Sequence, residues 1–542
     1  MTQLFQTWRL LNLKLGIDEP DSQMRRRAMA EAGIDEAALR GFRIARRSVD
    51  ARWSGGRRRL AFNVHVDLTV DAGHHTTRFA AAKKSGRLIE TPHQEPLTVA
   101  SRPTRPLRVV TVGAGPAGLY AAYVLALNGA TVDLIDRGQR LDQRSKDVAQ
   151  FHRTRSPNGE SNLLFGEGGA GTYSDGKLYT RIDDPLETAC LQLLIESGAN
   201  EDILFDSRAH IGTDRLHRIL PVLRDAMTRL GVTFHWDTRM ERLRFSPDGA
   251  RVEAVVTSRG ELPCDAVFVA PGHSARDTIR ALHDQGVRVE AKPFQLGVRI
   301  EHPQELIDRG RYGDGPEARL LGAAYYNLVC KAGDGAAASH TFCMCPGGKI
   351  VASVNEGGLL CTNGMSNSMH SSPWASAALV TTFGPNEFGH GPFDGVAFQH
   401  KLERAFFEAG GSDYTAPAQR ADDFLAGRLS KNPRSSSYTF GTCAGRIDRL
   451  LPPLARDAIT RGLLRFERQI SGFAGPEGLL VGLESRSSGP VRLPRDRESY
   501  RAIGFDNLYP IGEGAGFAGG IMSAAIDGAR VAKRYLRNPS AP

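Results

Sequence analysis

The stretch from Leu107 to Asp136, LRVVTVGAGPAGLYAAYVLALNGATVDLID, constrains this chain more than any other. It reads as strand, tight turn, helix and second strand. Val109, Val110 and Val112 form an apolar run without alternation, the pattern of a parallel strand buried on both faces. Gly113, Gly115 and Gly118 make G-x-G-x-x-G, with Ala114, Pro116 and Ala117 between them. Gly113 permits the turn, Gly115 lets a pyrophosphate approach the backbone, and Gly118 lets the helix pack close to the strand. A helix over Pro116 to Asn128 aims its N–H groups and positive dipole end at that phosphate, and Gly129 stops it. Thr131 to Ile135 form the second strand. Asp136 ends it with a carboxylate suited to a ribose hydroxyl. With its strand, helix and acid in place, the motif predicts a dinucleotide site rather than a bare glycine turn.

The chain has 542 residues, enough for two or three domains. Apolar residues make up 41% and the mean hydropathy is −0.30, which fits a protein with packed cores. No run of about eighteen apolar residues is uninterrupted, so no membrane span is expected. The start, MTQLFQTWRLLNLKLG, lacks a signal peptide's order of basic start, apolar block and small-residue cleavage site. Seven cysteines are an odd number spread over a long chain, which argues against a disulfide framework. The expected compartment is the reducing cytoplasm.

The net charge of +9 is carried by the N-terminal part, where residues 1–108 hold 20 Lys and Arg against 11 Asp and Glu. Such an excess can serve a nucleic acid or acidic partner. The preferred reading is a solvated arginine-rich face, because few aromatics interleave and no nucleic-acid motif is present.

Residues 1–100 read as a separate, ferredoxin-like α+β unit. Trp8 to Leu15 is its first strand. Asp21 or Ser22 can cap a helix to about Ala32, and Asp35 a short second helix. Ile44 to Ala51 is extended. Leu60, Phe62, Val64, Val66, Leu68 and Val70 alternate with polar positions, so this strand has one wet face, carrying His65. Gly55-Gly56 and Arg57-Arg58-Arg59 make a basic hairpin tip. Ser101 to Pro106 is the linker.

Beyond the motif, FGEGGAGTYSDGKL at 165–178 places Gly166, Gly168, Gly169 and Gly171 too densely for a helix or strand. That backbone must lie close to something flat or charged. A helix over Leu216 to Leu230 and strands at Val232–Trp236, Val252–Thr257 and Ala266–Ala270 follow, the last leading into Pro271-Gly272. Leu508 to Arg537 returns to strand, glycine turn and helix. The divisions expected are 1–100, 107–274 with 481–542, and an inserted α+β substrate domain at 275–480.

This order resembles the glutathione-reductase-like flavoproteins. A narrower resemblance rests on RRSVDAR at 46–52, FGEGGAGTYSDGKL at 165–178, MCPGGKIVAS at 344–353, TNGMSN at 362–367, SRSSGPVRLPRD at 485–496 and GEGAGFAGGIMSAAIDG at 512–528. By these the chain is similar to a family of large FAD-dependent dehydrogenases, described as NAD(FAD)-utilizing dehydrogenase-like. The resemblance implies a Rossmann-like FAD-binding domain and an FAD-dependent oxidoreductase, with hydride moving to or from flavin N5. It implies no particular substrate. The ADP half would lie on Gly113–Gly118, Ala270-Pro271-Gly272 would cross beneath it, and Glu513 after Gly512 would hold the ribityl. Pro271 and Glu513 depart from the more usual Thr and Asp.

A flavin also needs stabilisation of its reduced anion. Gly519, Gly520 and Ile521 open the last helix and can supply N–H groups and dipole. Ordinary helix capping is the alternative. Arg137 and Arg144 can meet phosphates, or, for Arg144, form a surface ion pair. Glu167 and Asp175 read as solvated loop carboxylates rather than an acid pair. Cys343 and Cys345 form C-x-C, which is neither a flavin disulfide C-x-x-C nor a metal pattern. Cys345, within the MCPGG stretch, is a candidate to approach the flavin, but a buried inert thiol is the preferred reading. The histidines suggest no metal. Asn363, Met365, Tyr438 and Arg486 are substrate-domain candidates by position alone, and no catalytic acid or base is named.

The partners expected are a small-molecule substrate and, as reductant, that substrate itself or an NAD(P)H that docks transiently, since only one dinucleotide motif is present. The competing readings are an FAD-dependent RNA-modifying enzyme and a nucleotide- or RNA-binding protein using the arginine-rich unit.

Overall fold

The computed structural model describes residues 4–54, 57–180, 183–333 and 335–539. Gly55 and Gly56, the expected hairpin tip, lie outside these, while Trp53–Ser54 and Arg57–Arg58 pair around them.

The N-terminal unit has four antiparallel strands in the order Leu39–Asp50, Ala61–Asp71, Phe5–Leu15, Leu88–Glu90, with helices Asp21–Ala32 and Thr77–Lys84 on one face. This is the ferredoxin-like arrangement. Val64, Val66, Leu68 and Val70 bury beneath the helices with Trp8, Leu10 and Phe79. Two cap expectations differ. The first helix starts after Pro20 without a side-chain cap. Asp35 takes the Ala38 N–H at 2.8 Å, closing a turn that feeds a strand instead of a helix. Several arginines of this unit are paired: Arg9 and Arg43 on Asp67, Arg40 on Asp71, and Arg52 with Lys14 on Asp50. The face carrying His65 is half-buried, with Ala61, Asn63, His65 and Thr69 partly exposed. It turns toward the rest of the chain, where Arg47 and Phe205 share a 2.6 Å backbone hydrogen bond. His65 lines a 790 Å³ cavity there.

The second sheet is parallel throughout, in the order Leu508–Pro510, Ala266–Val269, Arg108–Val112, Thr131–Ile135, Val232–His235. Val109 and Val110 are fully buried in cores on its opposite faces. Helices Pro116–Leu127 and Ile521–Arg537 pack side by side on one face. A three-stranded antiparallel sheet, Met240–Phe245, Val252–Thr257 and Gly260–Pro263, adjoins the other.

The third sheet has seven strands: Val329–Cys330, Ser339–Cys345, Trp374–Phe383, Phe294–Pro303, Leu479–Glu484, Ala416–Arg420 and Thr442–Ala444. Its largely antiparallel core also takes in helix Pro453–Glu467. Strand Leu479–Glu484 runs across the expected division at 480, because its hydrogen bonds to Phe294–Pro303 continue to Glu484. Among the described residues, no helix is long and apolar enough to cross a membrane.

Candidate functional site

The glycine motif ends the middle strand of the parallel sheet. Gly113 has φ 102°, and a Cβ there would overlap the Ala270 carbonyl oxygen. A Cβ on Gly118 would overlap the Gly113 carbonyl. These two glycines are demanded by the protein itself. Gly115 is not. Its φ of −78° suits any residue, and an added Cβ would meet only Gly169 Cα, 3.8 Å away. The space beside it is open, at the N-terminus of helix Pro116–Leu127. A glycine kept where neither backbone nor neighbours require one fits a ligand lying against it.

Asp136 ends the next strand, as expected, but its carboxylate is turned onto backbone. Oδ2 accepts from Ala114 N–H at 2.7 Å, and Oδ1 from Gly138 and Gly166 at 2.8 and 2.9 Å. It ties the motif to the glycine-rich loop. Arg137 forms ion pairs with Glu160 and Asp277, both at 2.7 Å, and lies over the Phe165 ring.

Arg144 is no surface residue. It is fully buried and donates to the carbonyls of Asn162, Glu167 and Gly169 at 2.8, 2.6 and 2.9 Å. Burial lowers its pKa to about 10, which leaves it charged at neutral pH. It therefore anchors the loop that carries Gly168, Gly169 and Gly171. The solvated reading of Glu167 and Asp175 is also overturned. Glu167 is 1% exposed and accepts Arg224 on both oxygens at 2.9 Å, while Asp175 is 2% exposed and pairs with Lys177 at 3.2 Å. Lys177 lies at the loop's own end, but Arg224 comes from a helix 57 residues on, of which sequence spacing gave no sign.

The loop meets the C-terminal segment. A Cβ on Gly171 would touch Ile521 at 3.2 Å. Helix Ile521–Arg537 begins with Gly520 as its extended N-cap, and Gly519 and Gly520 are exposed. Gly512 follows the last strand and sits against Ala117; its N–H donates to Asp527 at 2.8 Å. Gly514 packs on Gly272, just past Pro271. Burial pushes the Glu513 carboxyl up to about 8, with Lys292 opposing the rise.

Beyond Gly272 lies a polar network. Arg486 holds Glu403 with two hydrogen bonds, 2.9 and 2.7 Å, and Arg276 pairs with the same carboxylate at 3.1 Å. Burial and these two arginines push His273 down to about 3, so it is neutral. Of the four positional candidates, Arg486 belongs to this network. Tyr438 is buried, its hydroxyl on the Tyr414 carbonyl at 2.9 Å. Met365 packs at the edge of the large core, and Asn363 caps its neighbour's N–H at 2.7 Å. His273, Lys292 and Glu403 were missed because single residues far apart in the chain carry no motif. Among the described residues no group of His, Cys, Asp and Glu is placed to hold a metal ion.

Residues 293–487 match the family described as FAD-dependent protein, C-terminal domain-like. Residues 111–155 match the NAD(P)-binding Rossmann-like domain, and residues 8–69 a domain of unknown function. An uncharacterized protein of Clostridium beijerinckii is 36% identical over 539 residues, covering 98% of this chain and 99% of that one. Among solved structures, glycine oxidase from Bacillus cereus aligns at 10% identity and TM-score 0.32, over 80% of this chain and 98% of its own. L-amino acid deaminase from Proteus vulgaris aligns at 11% and TM-score 0.34, over 83% of this chain and 94% of its own. With the Rossmann motif, the FAD-dependent C-terminal domain and a full-length relative together, the chain belongs to a family of FAD-dependent oxidoreductases.

Proposed function

We propose that FAD lies across Gly113–Gly118, the loop at Gly168–Gly171, Ala270–Gly272, Gly512-Glu513 and the head of the last helix, in a glutathione-reductase-like layout. The observation that carries this is Gly115, whose vacant neighbourhood faces the helix N-terminus. Bound there, FAD would supply hydride transfer at flavin N5 to or from a small-molecule substrate. The protein's part is position and charge. The helix Pro116–Leu127 offers N–H groups and dipole to the pyrophosphate. Asp136 and Arg144 fix the two backbone loops on either side of Gly115. Glu513, its carboxyl pushed up to about 8 by burial, would hold a ribityl hydroxyl. Gly519, Gly520 and Ile521 direct N–H groups at the reduced ring.

The proposed divisions are residues 1–100, an FAD-binding part from 107–274 with the C-terminal segment that follows strand Leu479–Glu484, and a substrate part between them. The protein works in the cytoplasm. Pairing of Arg9, Arg40, Arg43 and Arg52 with carboxylates supports the reading without nucleic acid.

Gly115→Val tests the placement, because its side chain fills only the ligand's space. The expected protein is folded, with an unchanged circular dichroism spectrum, and colourless after purification. Full flavin content would refute the assignment.

A further inference from the structure

The C-x-C pair has an unusual setting. Strand Ser339–Cys345 is irregular between Phe342 and Cys345, and Cys343 has φ 45°, in the left-handed region that few side chains adopt. The kink leaves both sulfurs beside one ammonium: Lys177 Nζ lies 3.8 Å from Cys343 Sγ and 3.8 Å from Cys345 Sγ. Arg299, fully buried, adds a second cation 3.8 Å from Cys345 Sγ, while its other nitrogen pairs with Glu484 at 3.2 Å. Lys177 ends the same glycine-rich loop whose Gly169 packs against Gly115, so one loop links the pair to the glycine motif.

The electrostatics separate the two thiols. Cys343 is pushed down by its hydrogen bond with Cys345, and Lys177 and Arg299 work in the same direction against burial. Cys345 is pushed up by the same bond and by burial. The two cations beside the sulfurs thus favour loss of a proton from the pair. A 310 Å³ cavity lined by Asp175, Lys177, Tyr179, His210, Met344 and His370 opens beside them. The His210 and His370 rings stack at 4.0 Å, and Nε2 of each is buried without a hydrogen-bond partner among the described residues.

We propose that Cys343 and Cys345 are a redox-active dithiol that exchanges an electron pair with the flavin. This goes beyond the cofactor placement and rests on it only for the electron partner. Oxidation forms the Cys343–Cys345 S–S bond. The Cys345 S–H bond breaks, its proton leaves, and the two electrons pass to oxidised flavin, which takes up a proton. Reduction runs the same balance backward. Lys177 is a positioning residue that holds the Cys343 thiolate.

Three measurements test this. Apo- and FAD-loaded protein are equilibrated in glutathione buffers of stepped potential, acid-quenched, alkylated and digested. The peptide holding both cysteines is expected to become two hydrogens lighter and to resist alkylation as the buffer becomes oxidising. Anaerobic dithionite titration of the oxidised holoenzyme should consume one electron pair more per flavin than titration of Cys345→Ser. Alkylation of Cys343 in the reduced protein should be half-maximal well below pH ~8.5, and Lys177→Met should slow it about tenfold at pH 6. Two thiols that stay unlinked at every potential in the wild-type apo-protein overturn the proposal, whatever the flavin does. Closure with no additional electron pair in the holoenzyme overturns it as well.

Discussion

Gly528 stands in the last helix where any side chain would overlap the carbonyl oxygen of Ala117, in the helix of the dinucleotide motif. The contact sets how closely the C-terminal helix crosses the first. Its neighbour Asp527 holds the Gly512 N–H and pairs with Arg495 at 2.6 Å, so the crossing also fixes the turn that carries Glu513. Gly528→Ala is expected to lower stability by roughly 1–3 kcal/mol through overpacking, and to weaken flavin retention. Gly357→Ala, whose Cβ meets nothing within 4 Å, should leave both unchanged. Thermal denaturation followed by flavin fluorescence reads out the pair.

Glu513 gives the cofactor site a pH dependence of definite sign. Its pKa of about 8 in the folded protein is above the ~4.3 of an unfolded glutamate. The native state therefore holds more protons across that interval. The stabilising contribution is complete below pH ~4.3 and is lost as pH rises through about 8. If the carboxylic acid donates to the ribityl, flavin affinity weakens over the alkaline end of the same range. Titration of apo-protein with FAD between pH 6 and 9 should show that limb in the wild type and a flat line in Glu513→Gln.

Truncation distinguishes the N-terminal unit from the strap that follows it. Glu95 pairs with Lys533 at 2.8 Å, Leu97 packs in the core of the parallel sheet, and Asn128 holds the Leu97 carbonyl and the Val99 N–H. A chain starting near Thr91 should bind flavin with wild-type affinity. One starting near Pro103 loses these contacts, and its melting temperature should be lower. Equal melting temperatures would show that the strap contributes nothing.

The source of electrons is open to a direct kinetic test. Among the described residues only one sheet is parallel throughout, and its glycine motif is assigned to FAD. Stopped-flow reduction of the bound flavin by NADH or NADPH is expected to be slow or non-saturating. Rapid reduction that saturates at low micromolar nucleotide would reveal a dedicated pocket.

What the sequence disclosed depended on distance along the chain. The motif from Val109 to Asp136 is legible because each residue's role is set by neighbours within one strand–helix–strand unit. The ferredoxin-like unit was readable from one faultless alternation, Phe62 to Val70. Arg144 was misread because its acceptors are main-chain carbonyls, which leave no mark in side-chain pattern. Glu167 and Asp175 were misread for a different reason: a carboxylate in a glycine-rich loop implies solvent unless its distant partner, Arg224 for one and Ser366 for the other, is known. The cysteines joined both problems, since their reactivity depends on Lys177, 166 and 168 residues away.

The parallel sheet places its earliest strand in the chain, Arg108–Val112, at its centre, and its last, Leu508–Pro510, at an edge beside Ala266–Val269. During synthesis, the phosphate-binding turn leaves the ribosome several hundred residues before the segment that closes the other side of the cradle. A nascent chain thus carries half a site for most of its translation. With the flavin placed as proposed, its capture would belong to the finished polypeptide, and a premature stop upstream of the final helix would leave the nucleotide motif without the C-terminal side of its cradle.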